Sequence, residues 1–251
     1  MRGLFLFIFL LTFWLNCYSQ ERIVSLSPAL TEIISYLGED NRLVGVTTFC
    51  HGSLCRGKEK VGGIVNPNVE KIYSLHPDLV VSTDLTPKRE IEVLRKLEIR
   101  VFVFKLTSLK DIERATDELG ALFKEENRGK ELIRKIKREA ENFLSCFKGK
   151  KVLVLISVKP FYCAGSKTYI GEILSTSGAK VVPKSDFKPI SAEEILKLKP
   201  DVVLVVGREV PSLLRNFGLK TLNFKNSDEI LHPSPLLLKG IKDLGREVCK
   251  N

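Results

Sequence analysis

Three groups of residues in this chain have the types and spacing to do chemistry. Cys50 and His51, with Cys55 close by, form a partial metal-ligand cluster. Structural zinc takes four ligands, commonly as two Cys/His pairs. The second pair is missing, and His76 and His232 are the only other histidines. No metal site is expected, and a metal-binding chaperone or sensor domain using Cys50, His51 and Cys55 is the alternative of a different class. The second group is a pair of carboxylates, Glu70 and Glu193, in matching local sequence. The third is aromatic: Phe49, Tyr162 and Phe187 stand in irregular, glycine-containing stretches, with Cys50, Ile64 and Gly165 beside them. Such residues suit an apolar cleft for a large ring or chelate. The chain has no Gly-rich phosphate loop, no Gly-x-Ser-x-Gly elbow and no His-Glu-x-x-His. No catalytic residues and no enzyme activity are expected, although an enzyme built on the same halves would reveal itself by turnover.

The setting of the two glutamates is an internal repeat. Glu70-x-Ile72-x-x-Leu75-x-Pro77-Asp78-x-Val80 reappears 123 residues on as Glu193-x-Ile195-x-x-Leu198-x-Pro200-Asp201-x-Val203. Leu94-Arg95-x-Leu97 and Leu214-Arg215-x-Phe217 continue the echo. A single repetition points to two similar α/β lobes, and a cleft between lobes is where small ligands bind. One glutamate per lobe at matched places suits two-point docking to a two-fold partner, whose arginines would fit carboxylates. Each glutamate also opens a helix, with Asn68 and Ser191 as N-caps, so helix-dipole complementation alone accounts for it equally well.

Alternating signals supply the scaffold. Short apolar strands are expected at 22–26, 43–47, 79–82, 101–104, 151–156 and 202–206. Helices are expected at 29–37, 69–75, 88–97, 108–123, 168–177, 191–198 and 236–249. Ser27 should cap the first helix, with Pro28 at its first position. This order implies parallel-type sheets covered by helices. Residues 48–68 read as a long functional loop. Residues 125–146 carry an apolar stripe at helical spacing, Leu132, Ile133, Ile136, Ala140, Phe143 and Leu144, and read as one rigid helix between the halves. The domains are then an N-terminal lobe at 20–124, an interlobe helix at 125–147 and a C-terminal lobe at 148–251.

Residues 1–19 read as a signal peptide, with Arg2 before an apolar run and small residues ahead of a cut after Ser19. Anchoring as a lipoprotein through Cys17 is the alternative. Removal leaves Cys50, Cys55, Cys146, Cys163 and Cys249 in a compartment that permits disulfides. Cys50 could bridge to Cys55, and Cys146 to Cys249, leaving Cys163 over, although spacing does not fix connectivity. The net charge of +10 is scattered, without a basic stripe, so no nucleic-acid partner is expected.

Arg22-Ile-Val-Ser-Leu-Ser-Pro-Ala-Leu-Thr-Glu-Ile-Ile-Ser-Tyr-Leu-Gly38, Val44-Gly-Val46, Val61-Gly-Gly63, Asn68-Val-Glu-Lys-Ile72 and Leu75-His-Pro-Asp-Leu-Val-Val81 resemble the periplasmic substrate-binding proteins of ABC importers for cobalamin, ferric siderophores and haem. The likeness runs from residue 22 to about 249 and is nearest to the cobalamin-binding branch. It implies two Rossmann-like lobes joined by one long helix with little hinge closure. It implies a monomer that holds a corrinoid or ferric chelate between the lobes as cargo, with no cofactor. It implies docking of Glu70 and Glu193 onto arginines of the permease dimer. Phe49, Tyr162 and Phe187 match aromatic cleft positions, and Ile64 stands where the cobalamin-binding branch has a tryptophan. Cys50 and Cys163 sit beside cleft positions. For haem, His51 or Tyr162 would be the axial ligand.

Overall fold

The computed structural model describes residues 21–225 and 228–249. The signal peptide expected at residues 1–19, and Cys17 within it, lie outside the described residues. The N-terminal lobe runs β1 (Ile23–Ser25), α1 (Pro28–Tyr36), β2 (Leu43–Val46), β3 (Glu59–Lys60), α2 (Val69–Ser74), β4 (Leu79–Thr83), α3 (Lys88–Lys96) and β5 (Arg100–Phe104). Its sheet has the order β3-β2-β1-β4-β5 and every pairing is parallel. Then come two helices, α4 (Leu109–Phe123) and α5 (Arg128–Phe143). The C-terminal lobe holds β6 (Lys151–Val158), β7 (Phe161–Ala164), α6 (Tyr169–Thr176), β8 (Lys180–Val182), β9 (Phe187–Pro189), α7 (Ala192–Leu198), β10 (Val202–Val206), α8 (Ser212–Asn216), β11 (Thr221–Phe224), α9 (Asp228–Leu231) and α10 (Leu237–Val248). Its sheet is mixed: β8, β10 and β11 join in parallel fashion, whereas β6-β7-β9 is antiparallel.

The internal repeat is a repeated corner. In each copy the helix ends in a left-handed residue, His76 at φ 47° and Lys199 at φ 45°. Proline follows and cannot continue a helix. The aspartate after it turns back on the first strand of its lobe. Asp78 Oδ2 accepts from the Arg22 N–H at 2.7 Å, and Asp201 Oδ2 accepts from the Lys151 N–H at 2.6 Å. The side chains of Arg22 and Lys151 meanwhile donate to the Leu75 and Leu198 carbonyls, which the two helix ends would otherwise leave open. Asn68 and Ser191 cap as expected, each accepting from the backbone N–H three residues on. Ser27 differs. Its hydroxyl makes no cap, and its carbonyl accepts instead from the Thr31 N–H and hydroxyl and from the Ser25 hydroxyl.

The helix expected at 125–146 is shorter at both ends. Lys124 and Asn127 are left-handed and break α4 from α5, and a 3-10 turn, Ser145–Phe147, follows Leu144. At 1.5 Å per residue its sixteen residues span roughly 24 Å. Its buried stripe, Leu132, Ile133, Ile136 and Ala140, belongs to one apolar core that takes in α1, α4, α6 and α10 and one face of each sheet. Gly129 and Gly245 permit the close crossings: a Cβ on Gly129 would lie 2.4 Å from the Glu113 carbonyl, and one on Gly245 2.4 Å from the Phe143 carbonyl.

Cys146 and Cys249 are joined, tying the C-terminal end of α10 to the turn after α5. Cys50 and Cys55 are joined within one loop, and Cys163 is buried and free. The first bridge closes a sequence separation of 103 and the second of 5. Loop-closure entropy makes the long bridge worth about 2–3 kcal/mol more than the short one. Denaturant unfolding of C146S/C249S and C50S/C55S should show the first variant to be the less stable by about that margin. Equal losses would contradict it.

Candidate functional site

Parallel α/β sheets present their loops for ligands at the carboxyl ends of the strands. Here those ends face one another across a cleft with a cavity of about 380 Å³, within the ordinary range for small-molecule sites. The N-terminal lobe supplies Ser27, Pro28 and Ala29 after β1, Thr83 at the end of β4 with Asp84 and Leu85 after it, Leu106 and Thr107 after β5, and Ile64 from the loop before α2. The C-terminal lobe supplies Ile156, Tyr169 and Phe187, with Leu231 at the end of α9 and His232 and Pro233 after it. The lining is mainly apolar. Leu85 is 65% exposed although aliphatic, an apolar surface left open at the cleft. The Thr83 hydroxyl is buried and has no protein partner, which leaves it available to a ligand, since buried polar groups are rarely left unpaired.

Polar tethers lock the two walls. The Tyr169 N–H donates to the Thr107 carbonyl at 2.7 Å. The Leu109 N–H, at the start of α4, donates to Glu172 of α6 at 2.6 Å, and burial raises the pKa of that carboxyl. The Tyr169 hydroxyl donates to the Leu231 carbonyl at 2.8 Å, and burial pushes its pKa up. The Phe187 ring stands edge-on to Tyr169, with centroids 5.8 Å apart. Glu32 of α1 reaches across to the other lobe. One oxygen lies 3.1 Å from His232 Nδ1, and the other accepts from the Ser234 hydroxyl. That hydrogen bond raises the His232 pKa above its ordinary value, burial opposes the rise, and Asp228 and Glu229 add to it.

Of the residues singled out in the sequence, Ile64 and Phe187 line the cavity. Phe49, Cys50, Tyr162 and Gly165 are not among its lining. Phe49 is 57% exposed and rests by Gly63, next to Ile64, at the edge of the N-terminal wall. Cys50 is buried in its bridge with Cys55, so neither sulfur is a thiolate ligand. Tyr162 lies in β7 opposite Ser157 and Pro189. Gly165 is a packing glycine, whose added Cβ would sit 2.2 Å from the Ser185 carbonyl. His51 is exposed. Among the described residues no group of three or more His, Cys, Asp or Glu could hold a metal ion. Glu70 and Glu193 occupy the first turns of α2 and α7, and Glu193 pairs with Lys197 of its own helix at 2.7 Å. Sequence reasoning missed Leu85, Tyr169 and His232. Scanning the segment after every strand, rather than only those before α2 and α7, would have reached Leu85.

A family model described as periplasmic binding protein matches residues 23–232. An uncharacterised ABC transporter substrate-binding lipoprotein of Bacillus subtilis, YvrC, is 26% identical, covering 91% of this chain and 80% of the relative. The high-affinity heme uptake system protein IsdE of Staphylococcus aureus is 28% identical, over 83% of this chain and 74% of its own. A vitamin B12-binding protein of Vibrio parahaemolyticus is 25% identical, over 92% and 89%. Among solved structures, a possible iron-binding (periplasmic solute-binding) protein of Staphylococcus epidermidis superposes with a TM-score of 0.72 at 25% identity, covering 90% of this chain and 98% of that one.

The raised His232 pKa fixes the sign of a pH effect. Stability from the Glu32–His232 contact is complete below the ordinary histidine value near 6.5 and is lost as pH rises through the higher folded value. The gap in melting temperature between the native protein and His232→Gln should be widest just below about pH 6.5, where Glu32 is still ionised, and should narrow as pH rises beyond it. A gap independent of pH would contradict the charged contact.

Proposed function

This chain belongs to the periplasmic binding protein family and is a substrate-binding protein of an ABC importer, and from that premise we propose that its interlobe cleft captures a ring-shaped chelate and hands it to a permease. The observation that carries this is the apolar cavity at the seam, walled on one side by Ile64 and Leu85 and on the other by Phe187 over Tyr169. An apolar wall of that kind fits the face of a macrocycle. A cobalamin or related corrinoid is the cargo proposed, in keeping with the vitamin B12-binding relative. Haem or a ferric siderophore is the second reading, supported by the heme-uptake relative. Phe49 and Tyr162 are assigned to the outer cleft, with Cys50 and Gly165 holding the loops behind them. No residue is assigned a catalytic role.

Glu70 and Glu193 are proposed as the docking pair. One turn beyond each stands an exposed apolar side chain, Tyr73 at 50% and Leu196 at 41%, again 123 residues apart. Matched acid and apolar groups on two lobes suit a dimeric permease with an arginine in each half. The pairing of Glu193 with Lys197 is solvent-exposed, so it contributes little and yields readily. The protein is proposed to be a monomer when free, outside the cytoplasmic membrane after removal of residues 1–19. Among the described residues no helix is long and apolar enough to cross a membrane.

The absorption spectrum of protein purified from its own source tests the cargo, because corrinoid, haem and ferric chelates differ in colour. A colourless protein that also binds none of them when they are added would end the ring reading. Phe187→Ala should weaken ring binding by about tenfold, from lost aromatic burial, measured by fluorescence titration. In E70A/E193A, uptake by cells should fall to background while ring affinity stays unchanged. Undiminished uptake would remove the docking assignment.

A further inference from the structure

The chain from Leu231, the last residue of α9, to Pro235 forms a strap that leads into α10. Leu231, His232 and Pro233 of the strap line the cavity. Pro233 and Pro235 fix their own φ and restrict the residue before each, so the strap is stiff and moves as one piece. Two ties hold it. Within the C-terminal lobe, the Tyr169 hydroxyl donates to the Leu231 carbonyl. The second tie crosses the seam to Glu32 of α1, which takes the Ser234 hydroxyl on one oxygen and stands 3.1 Å from His232 Nδ1 with the other. Ser234 is fully buried, and its oxygen also accepts the Leu236 N–H, which joins this tie to the start of α10. The charged groups around His232 decide what the second tie senses. Glu32 faces it from α1, and Asp228 and Glu229 face it from α9. Lys239 of α10 is occupied by Glu229 at 2.5 Å. Asp84 of the N-terminal lobe lines the same cavity, and Tyr169 of α6 stays neutral because burial raises its pKa. These surroundings favour an imidazolium, which adds the attraction of opposite charges to the hydrogen bond with Glu32. The His232 side chain is 37% exposed, so it exchanges protons with solvent.

We propose that the strap is a proton-operated gate on the cleft: Glu32 fastens it across the seam while His232 is charged, and loss of that charge loosens it so that cargo exchanges faster. The proposal rests on the cleft being the cargo site and is indifferent to which ring is carried. Because the His232 pKa is raised, the gate is fastened below the ordinary histidine value near 6.5 and loosens as pH rises through the higher folded value. The Thr107–Tyr169 and Leu109–Glu172 hydrogen bonds keep the rest of the seam in place, which confines the movement to the strap.

Two measurements test the gate. In the first, haemin or cyanocobalamin is bound and then chased at about pH 6 and about pH 8.5. Dissociation should be about fivefold faster at the higher pH. His232→Gln should release at one fast rate at both, and Ser234→Ala should release faster at both while keeping the native ratio. Faster release at acid pH would mark His232 as a ligand to the metal of the cargo and overturn the gate. The second measurement needs no cargo. Hydrogen exchange of residues 231–240, corrected for the intrinsic effect of pH, should show protection falling about fivefold between the same two pH values in the native protein. In Glu32→Gln, checked for folding by circular dichroism, protection should be low at both. Equal dissociation rates in the native protein, or native protection in Glu32→Gln, overturns the gate and leaves the cargo site standing. Binding of neither probe counts against the ring reading, and the exchange measurement then decides the gate alone.

Discussion

The packing of α5 is the constraint on which the rest of the molecule depends. Its stripe of Leu132, Ile133, Ile136 and Ala140 is buried in a single apolar core shared by helices of both lobes. Parting the lobes would expose that surface, at about 25 cal/mol for each Å² uncovered. The cleft is therefore the seam of one packed body. The Thr107–Tyr169, Leu109–Glu172 and Glu32–Ser234 hydrogen bonds hold the same seam from within. A ligand entering such a seam finds walls already set, which spares the ordering cost of closing them. This geometry accords with a substrate-binding protein of an importer.

The interlobe tethers also divide the cleft chemically. Glu172 is committed to a backbone N–H at the start of α4, and Glu32 to Ser234 and His232. The Tyr169 hydroxyl is committed to a carbonyl, which turns its ring into apolar wall. Spending these polar groups on one another leaves the first cavity lined largely by aliphatic and aromatic surface. The remaining charge is displaced to the margins, at Asp84 on one lobe and at the ends of β6 and β10 on the other.

Much of the fold was legible because its elements obey local rules. The Pro-Asp corners appear in the sequence as a duplicated pattern. Their cause is local too: a helix stopped before proline and an aspartate that ties back to the first strand. The caps at Asn68, Ser108 and Ser191 follow from residue type and position. The length of α5 was not legible, because Lys124 and Asn127 adopt left-handed backbone at the α4–α5 junction, where residue type gives little warning. The strands β7 and β9 were also missed. Phe161-Tyr162 and Phe187 stand in segments of three or four residues, β7 pairing with β6 and β9 with β7, across separations that local pattern does not reveal. Read as loop aromatics, Tyr162 and Phe187 looked equivalent. On neighbouring antiparallel strands they are not, and Phe187 is the one that lines the cavity beside Tyr169.

Duplication explains the frame of the site and divergence explains its selectivity. Ile64 and Phe187 are separated by the same 123 residues as the two glutamates, and both line the cavity, so the repeat brings one equivalent position to each wall. A symmetric pair of walls would grip a symmetric object. Here one wall ends in an aliphatic side chain and a buried hydroxyl, Ile64 and Thr83. The other ends in an aromatic pair, Phe187 and Tyr169. Specificity is a difference between affinities for competing ligands. Walls that differ in this way supply such a difference, because a ligand whose polar groups meet the apolar surface leaves them unpaired and desolvated.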